Sequence, residues 1–380
     1  MSRLLIISHT AHYRRGSEIV GWGPTVREID QLARLFDEVI HIAPLHPVEA
    51  PASASPYLAA NITLCDVPPA GGSSLRDKLD IFRKYPRYFT AINTELSHAD
   101  AVHVRCPANI ALLAILILAV RRHPARRWVK YGGTWGGDQA APVSRFQRWW
   151  LRRNFSRAEV TVNGTWPDQP PHIHSFDNPC LTAEELAEGR KAAATKQIET
   201  PVRLLFAGRL EPAKGVEQAL HVTAEVNRQG TPAILGLAGD GPDRPRYERM
   251  AGELQIADNV TFHGWLTRSE LSRLYAQAHI SLFPSLSEGW PKALGEAMAY
   301  GVVPAASSVG SIPHYLNRFD IGRTFSPDDV AGFTEAVLWY HQNPAAWKAE
   351  SELAASSAAA FGYDAYLDAV RELLGLTNNG

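Results

Sequence analysis

The chain has 380 residues, which is long for one hydrophobic core and ample for two. It is 45% hydrophobic and 20% charged, with a net charge of −1, so no overall field draws it to nucleic acid or to a membrane. The cysteines Cys65, Cys106 and Cys180 are odd in number and widely spaced. That spacing argues against a disulfide framework or a metal site and fits a reducing, cytoplasmic setting.

In chain order, Arg3 to Ile7 reads as a buried strand. It is too short for a secretory signal, and polar residues follow at once. A polar loop holding His9 and His12 comes next. Pro24 to Phe36 has helical spacing, with Val26, Ile29, Leu32, Ala33 and Phe36 on one stripe. Glu38 to Ala43 returns as a strand, which completes a β-α-β unit. Residues 48 to 60, rich in Ala, Pro and Ser, read as loop. Ile110 to Val120 is strongly apolar, but a span needs about 20 residues, so it reads as a buried helix. Strands are expected at Ala101–Val104, Trp128–Tyr131 and Val160–Val162.

Pro167, Pro170, Pro171 and Pro179 then interrupt regular structure. A second βα series opens at Val202 and closes with a helix over 330–341. The expected organisation is α/β, with a first Rossmann-like domain over 1–180 and a linker over 181–200. A second Rossmann-like domain spans 201–345. An Ala-rich helical tail over 346–380 is expected to pack back toward the first domain.

The most chemically specific stretch is SEGWPKALGEAMAYG, 287 to 301. Glu288 and Glu296 lie on either side of a turn through Gly289, Trp290 and Pro291. Pro suits the first position of a helix. The amides of Lys292, Ala293 and Leu294 would then point out of a helix N-terminus, an anion site. A carboxylate on each side of an anion site suits a ligand with a charged middle and hydroxyls at both ends, as in a nucleotide sugar. A second loop, in LLFAGRLEPAKG (204 to 215), places Arg209 and Lys214 after a strand, where two cations can converge on a diphosphate.

These motifs, with LAGDGP at 237 to 242, the run from Val260 to Gly301, and VPAASSVGSIPHYL after it, resemble the retaining glycosyltransferases of family 4, the glycosyl transferases group 1. The resemblance covers most of residues 202 to 318. It implies the GT-B fold, two Rossmann-like domains facing across a cleft. It also implies a nucleotide-diphosphate sugar of UDP or GDP type as donor and a hydroxyl acceptor, with neither metal nor cofactor. The acceptor expected first is a polysaccharide or lipid-linked glycan intermediate, and second a small-molecule natural product.

By the resemblance, Arg209 and Lys214 hold the diphosphate, Glu288 sits by the transferred sugar and Glu296 binds the ribose. Gly289, Trp290, Lys292, Ala293, Leu294, Gly264 and Gly23 line the donor, Gly23 through its amide. The first half matches less well. In WVKYGGTWGGD, 128 to 138, Gly132 stands where the family commonly has a histidine. His9, His12 and Thr134 are the acceptor-side candidates.

A catalytically silent scaffold remains an alternative, as does a GT-B sugar-nucleotide epimerase. A nucleotide-cofactor oxidoreductase is disfavoured because no G-x-G-x-x-G follows the first strand. RFQRWWLRRNFSR, 145 to 157, has two readings: a helix packed on the first sheet, or a peripheral contact with the inner membrane face.

Overall fold

A computed structural model describes residues 2–70, 75–136 and 141–376. Gly137 and Asp138 of the WVKYGGTWGGD motif lie outside the described residues, as do 377–380 of the tail. The chain divides into two compact units, 1–176 with 366–380, and 177–365. The division falls after Phe176. Residues 181–200 and 346–365 group with the second unit, and the chain rejoins the first only at Tyr366.

The first unit contains β1 (Arg3–Ile7), β2 (His12–Arg15), β3 (Glu18–Trp22), β4 (Glu38–Pro44), β5 (Ala54–Pro56), β6 (Ile62–Val67), β7 (Ala101–Cys106), β8 (Arg126–Tyr131), β9 (Glu159–Val162) and β10 (Ile173–Ser175). Seven of these form one parallel sheet in the order β10-β9-β8-β7-β1-β4-β6. Alternation along β1 sends Leu5 and Ile7 to one core and Leu4 and Ile6 to the other. The apolar helix Asn109–Val120 packs into the first of these cores through Ile110, Ala114, Ile115 and Leu118.

Two loop readings are corrected here. Residues 12–22 form an antiparallel hairpin, and Ala54–Pro56 joins it as a third strand. The hairpin strands carry mostly polar residues, so they lack the apolar alternation that marks a half-buried strand. Gly16, at φ 63°, makes the turn between them.

The second unit contains β11 (Val202–Ala207), β12 (Ala233–Ala238), β13 (Val260–Gly264), β14 (Ile280–Phe283), β15 (Val303–Ser307) and β16 (Arg323–Phe325). Their order is β13-β12-β11-β14-β15-β16, all parallel. This is the doubly wound order 3-2-1-4-5-6, whose switch point lies between β11 and β14. Leu205 and Ala207 face one core, and Leu204 and Phe206 the other.

The stretch read as a linker contains a helix, Ala183–Thr195, opened by a capping box between Thr182 and Glu185. It is packed rather than free, with Leu186, Gly189 and Ala193 buried. Just beyond it, the buried Lys196 ammonium donates to the carbonyls of Tyr275 and Ala278 at 2.8 Å and of Tyr300 at 2.7 Å. One cation thereby satisfies backbone acceptors near the ends of two helices, Arg268–Gln277 and Lys292–Ala299.

Candidate functional site

The switch point of the second sheet brings the two charged loops together. Lys214 closes a short 3₁₀ turn after β11, and Glu288 lies in the turn after β14. Lys214 Nζ is 2.6 Å from Glu288 Oε1. The backbones are tied as well: Leu286 N–H donates to the Ala213 carbonyl at 2.9 Å. Gly215 has φ 76°, and a Cβ there would lie 2.1 Å from the Pro284 carbonyl oxygen. Only glycine allows this approach.

On its other side the Glu288 turn rests on residues 307–311. Ser307 Oγ donates to the Ser285 carbonyl at 2.6 Å, and Ser311 N–H to the Gly289 carbonyl at 3.0 Å. A Cβ on Gly310, which has φ 57°, would meet the Glu288 carbonyl oxygen at 1.8 Å. Ser307, Gly310 and Ser311 are supports that sequence reasoning missed. A Ser/Gly cluster before a helix was the available signal. Arg209 is the most open member: its side chain is 55% exposed, with Nε 3.6 Å from Glu211 Oε2. Gly264 meets this edge from β13, its carbonyl accepting from Gly239 N–H at 2.9 Å.

Glu296 is held from two sides within its unit. Its Oε1 is 2.6 Å from Arg268 Nη1, and its Oε2 accepts from Tyr275 Oη at 3.3 Å. Arg268 Nε also donates to Glu185 at 2.7 Å. Burial works against the Arg268 charge, but Glu296 and Glu185 outweigh it and raise its pKa. Burial, then the Glu296 charge, raises the Tyr275 phenol well above its usual value. Arg268, Tyr275 and Glu185 were not anticipated as partners of Glu296.

Several expectations change. The helix begins at Lys292, and Pro291 is its N-cap rather than its first residue. The Leu294 amide donates to the Pro291 carbonyl at 3.0 Å, so it no longer points outward as a free donor. Trp290 is not a ligand-facing ring. It is 4% exposed and packs on Tyr315 and Phe361, with centroids at 4.3 and 4.8 Å. The Gly23 amide donates to the Ser53 carbonyl at 3.2 Å, which commits it to the strand Ala54–Pro56 region.

In the first unit, His9 sits exposed in the loop after β1. His12 is fully buried, and both its ring nitrogens are engaged. Nδ1 is 2.8 Å from the Thr10 carbonyl, and Nε2 is 2.8 Å from Tyr57 Oη. Tyr57 Oη also reaches His41 Nδ1 at 2.6 Å, and Ser8 Oγ meets His41 Nε2 at 2.7 Å. Burial drives both histidines toward the neutral form, His12 to about 4. His103 lies in the core, stacked on Trp128 at 3.7 Å. Thr134 lies in a loop clamped by Arg148, whose Nη1 donates to the Trp135 and Gly136 carbonyls at 2.8 and 2.9 Å.

In chemical terms, the switch-point edge gathers two cations, a carboxylate and the start of a helix onto one backbone framework. That set suits an anionic ligand carrying a polar group.

Residues 189–359 match the family described as Glycosyl transferases group 1. Among curated relatives, a D-inositol 3-phosphate glycosyltransferase from Streptomyces bingchenggensis is 29% identical over 207 residues, 51% of this chain and 46% of the relative. A glycogen synthase from Mycobacterium tuberculosis is 30% identical over 154 residues, 40% of this chain and 37% of the relative. The matches thus span half or less of those relatives' length. Sucrose-phosphate synthase from Thermosynechococcus elongatus has the same fold, with a TM-score of 0.73 at 19% identity over 99% of this chain and 100% of that one. HepE from Anabaena, solved with UDP and glucose, has a TM-score of 0.66 at 13% identity over 99% and 100%. The chain therefore has the GT-B fold along its length and carries the glycosyl transferases group 1 match over residues 189–359.

Proposed function

We propose that this chain is a retaining glycosyltransferase that moves a sugar from a UDP- or GDP-type donor to a hydroxyl acceptor. The observation that carries the reading is the Lys214–Glu288 contact of 2.6 Å at the switch point, beside a helix N-terminus. A nucleotide-diphosphate sugar has charge and hydroxyls in matching order. The family match and the activities named for its relatives support the same class.

In this reading the anomeric C–O bond to the diphosphate breaks, leaving negative charge on the diphosphate and positive charge on the sugar. Lys214, Arg209 and the amides that open the helix at Lys292 stabilise the first, acting where charge develops and without a metal. Glu288 stabilises the second. The acceptor hydroxyl forms the new bond on the face that the diphosphate leaves, and its proton passes to a diphosphate oxygen. Glu296, steadied by Arg268 and Tyr275, takes the ribose hydroxyls. The acceptor is a polysaccharide or lipid-linked glycan intermediate, with a small-molecule natural product as the second choice.

The test is thermal unfolding with UDP, GDP and their sugars, followed by NMR of the product anomer. Protection by one nucleotide series is expected, weakened in Arg209→Ala and Glu296→Ala, with the donor's anomeric configuration kept in the product. No protection by any nucleotide diphosphate would remove the donor assignment. An inverted product would remove the stereochemical one.

A further inference from the structure

The helix Pro142–Arg152 is apolar on two faces: Leu151 and the partly buried Trp150 pack on the first core, and a second apolar group points outward. Its buried positions are Gln147 and Leu151. Val143, Phe146 and Trp149 are 43%, 40% and 47% exposed, and Phe155, just past the helix, is 41% exposed. A surface helix ordinarily keeps charged and polar residues on the face away from its core, so the outward apolar group is the departure. The rings form one cluster, with centroids 5.7 Å apart for Phe146 and Trp149 and 5.4 Å for Trp149 and Phe155. Contiguous exposed apolar surface of this kind marks an interaction site.

Arginines frame the rings. Between Pro142 and Ala158 the sequence has five arginines and no acidic residue. Arg148 turns inward to the 134–136 carbonyls and the Arg152 guanidinium stands 5.9 Å over the Trp135 ring, whereas Arg145, Arg153 and Arg157 are exposed. A further arginine joins through packing. The buried Arg127 guanidinium donates to the Arg121 carbonyl at 2.7 Å and the Ser156 carbonyl at 3.0 Å. It thereby brings the turn holding the exposed Arg122 beside the turn holding Phe155 and Arg157.

We propose that this face docks peripherally on an anionic lipid bilayer. Phe146, Trp149 and Phe155 enter the boundary between headgroups and acyl chains, and Arg122, Arg145, Arg153 and Arg157 face lipid phosphates. Aromatic rings favour that boundary, and arginines are drawn to an anionic leaflet. Charge complementarity selects the occupant. A second copy of the face would set arginine against arginine, with no carboxylate in the 142–158 run to pair them. The helix lies along the surface, and among the described residues none is long and apolar enough to cross a membrane.

The experiment uses the full chain with vesicles of phosphatidylcholine alone or mixed with phosphatidylglycerol, at low salt. The protein is expected to co-sediment with the mixed vesicles and to be released by salt. Phe146→Ser with Trp149→Ser should weaken partition by about tenfold or more. Arg122→Gln and Arg153→Gln should each weaken it by about fivefold. Brominated lipid should quench tryptophan fluorescence in the wild type, and less in Trp149→Phe, which keeps the ring hydrophobic and guards against misfolding of the serine variant. The proposal is overturned if the wild type stays in the supernatant or binds neutral vesicles equally well. Unchanged partition of the variants overturns it too, as does a wild-type dimer lost in the serine variant without lipid binding.

Discussion

At the switch point of the second sheet, the loops after β11 and β14 carry Lys214 and Glu288, which face each other with side chains 28% and 12% exposed. In the first sheet, the charges near the ends of β7 and β8 are sealed inside. The Glu28 carboxylate is fully buried and accepts from Arg105 Nη1 at 2.7 Å, Lys130 Nζ at 2.6 Å and Tyr366 Oη at 3.1 Å. Burial opposes the Arg105 charge, and Glu28 outweighs it to raise the guanidinium pKa. Two units with the same strand logic thus use an ion pair differently. A partly open pair exchanges partners with a ligand at little cost, whereas a sealed cluster holds elements together and loses heavily when one member is removed.

The contrast is broken most directly at Glu28. Glu28→Gln removes the buried carboxylate charge that Arg105 and Lys130 share, and the expected loss is about 3–5 kcal/mol in denaturant unfolding. A loss under about 1 kcal/mol would show that the cluster is not sealed in solution. At Lys214 the expected effect is on rate instead. Under the transferase reading, Lys214→Ala slows sugar transfer by about 10²–10³ and leaves the melting temperature nearly unchanged. A large fall in melting temperature with an intact rate would reverse the roles given to the two regions.

The buried histidines add a pH dependence. His12 and His41 have folded pKa values below 6.5, His12 at about 4. The unfolded chain therefore takes up protons first as pH falls. Stability is full above about pH 6.5 and declines toward pH 4, by up to about 1.4 kcal/mol per pH unit for each histidine. His279, buried in the second unit and also lowered to about 4, adds to the same slope. Urea midpoints at several pH values, with His12→Gln as the comparison, separate the contributions. The variant should show the shallower decline on acidification, and an unchanged slope would mean that His12 is not held neutral.

The second unit was the more legible because its chemistry lies in contiguous stretches. Gly208 to Gly215 and Ser287 to Gly301 each contain a turn, its glycine and its charge, so strand ends and cations could be placed from spacing. What stayed hidden is contact across long separations. Glu296 meets Arg268 and, through it, Glu185, on helices far apart in the chain. Trp290 reads as a ring on a loop until Tyr315 and Phe361 close over it. In the first unit, His12 has the polarity of a surface residue. Its burial depends on Tyr57, 45 residues away, supplying a hydroxyl partner. The hairpin at 12–22 escaped notice because its pairing satisfies backbone groups without an apolar stripe to announce it.

The carbonyl contacts around Gly215 and Gly310 bear on how this protein can be redesigned. They weld three loops into one piece of scaffold, so a side chain added at either glycine displaces the piece as a whole. Under the transferase reading, a search for altered donor preference has more room at Leu286 and Ser287, whose side chains are exposed on the same turn. Saturation libraries there should retain folded protein across most substitutions, while libraries at the two glycines should collapse to the parent residue.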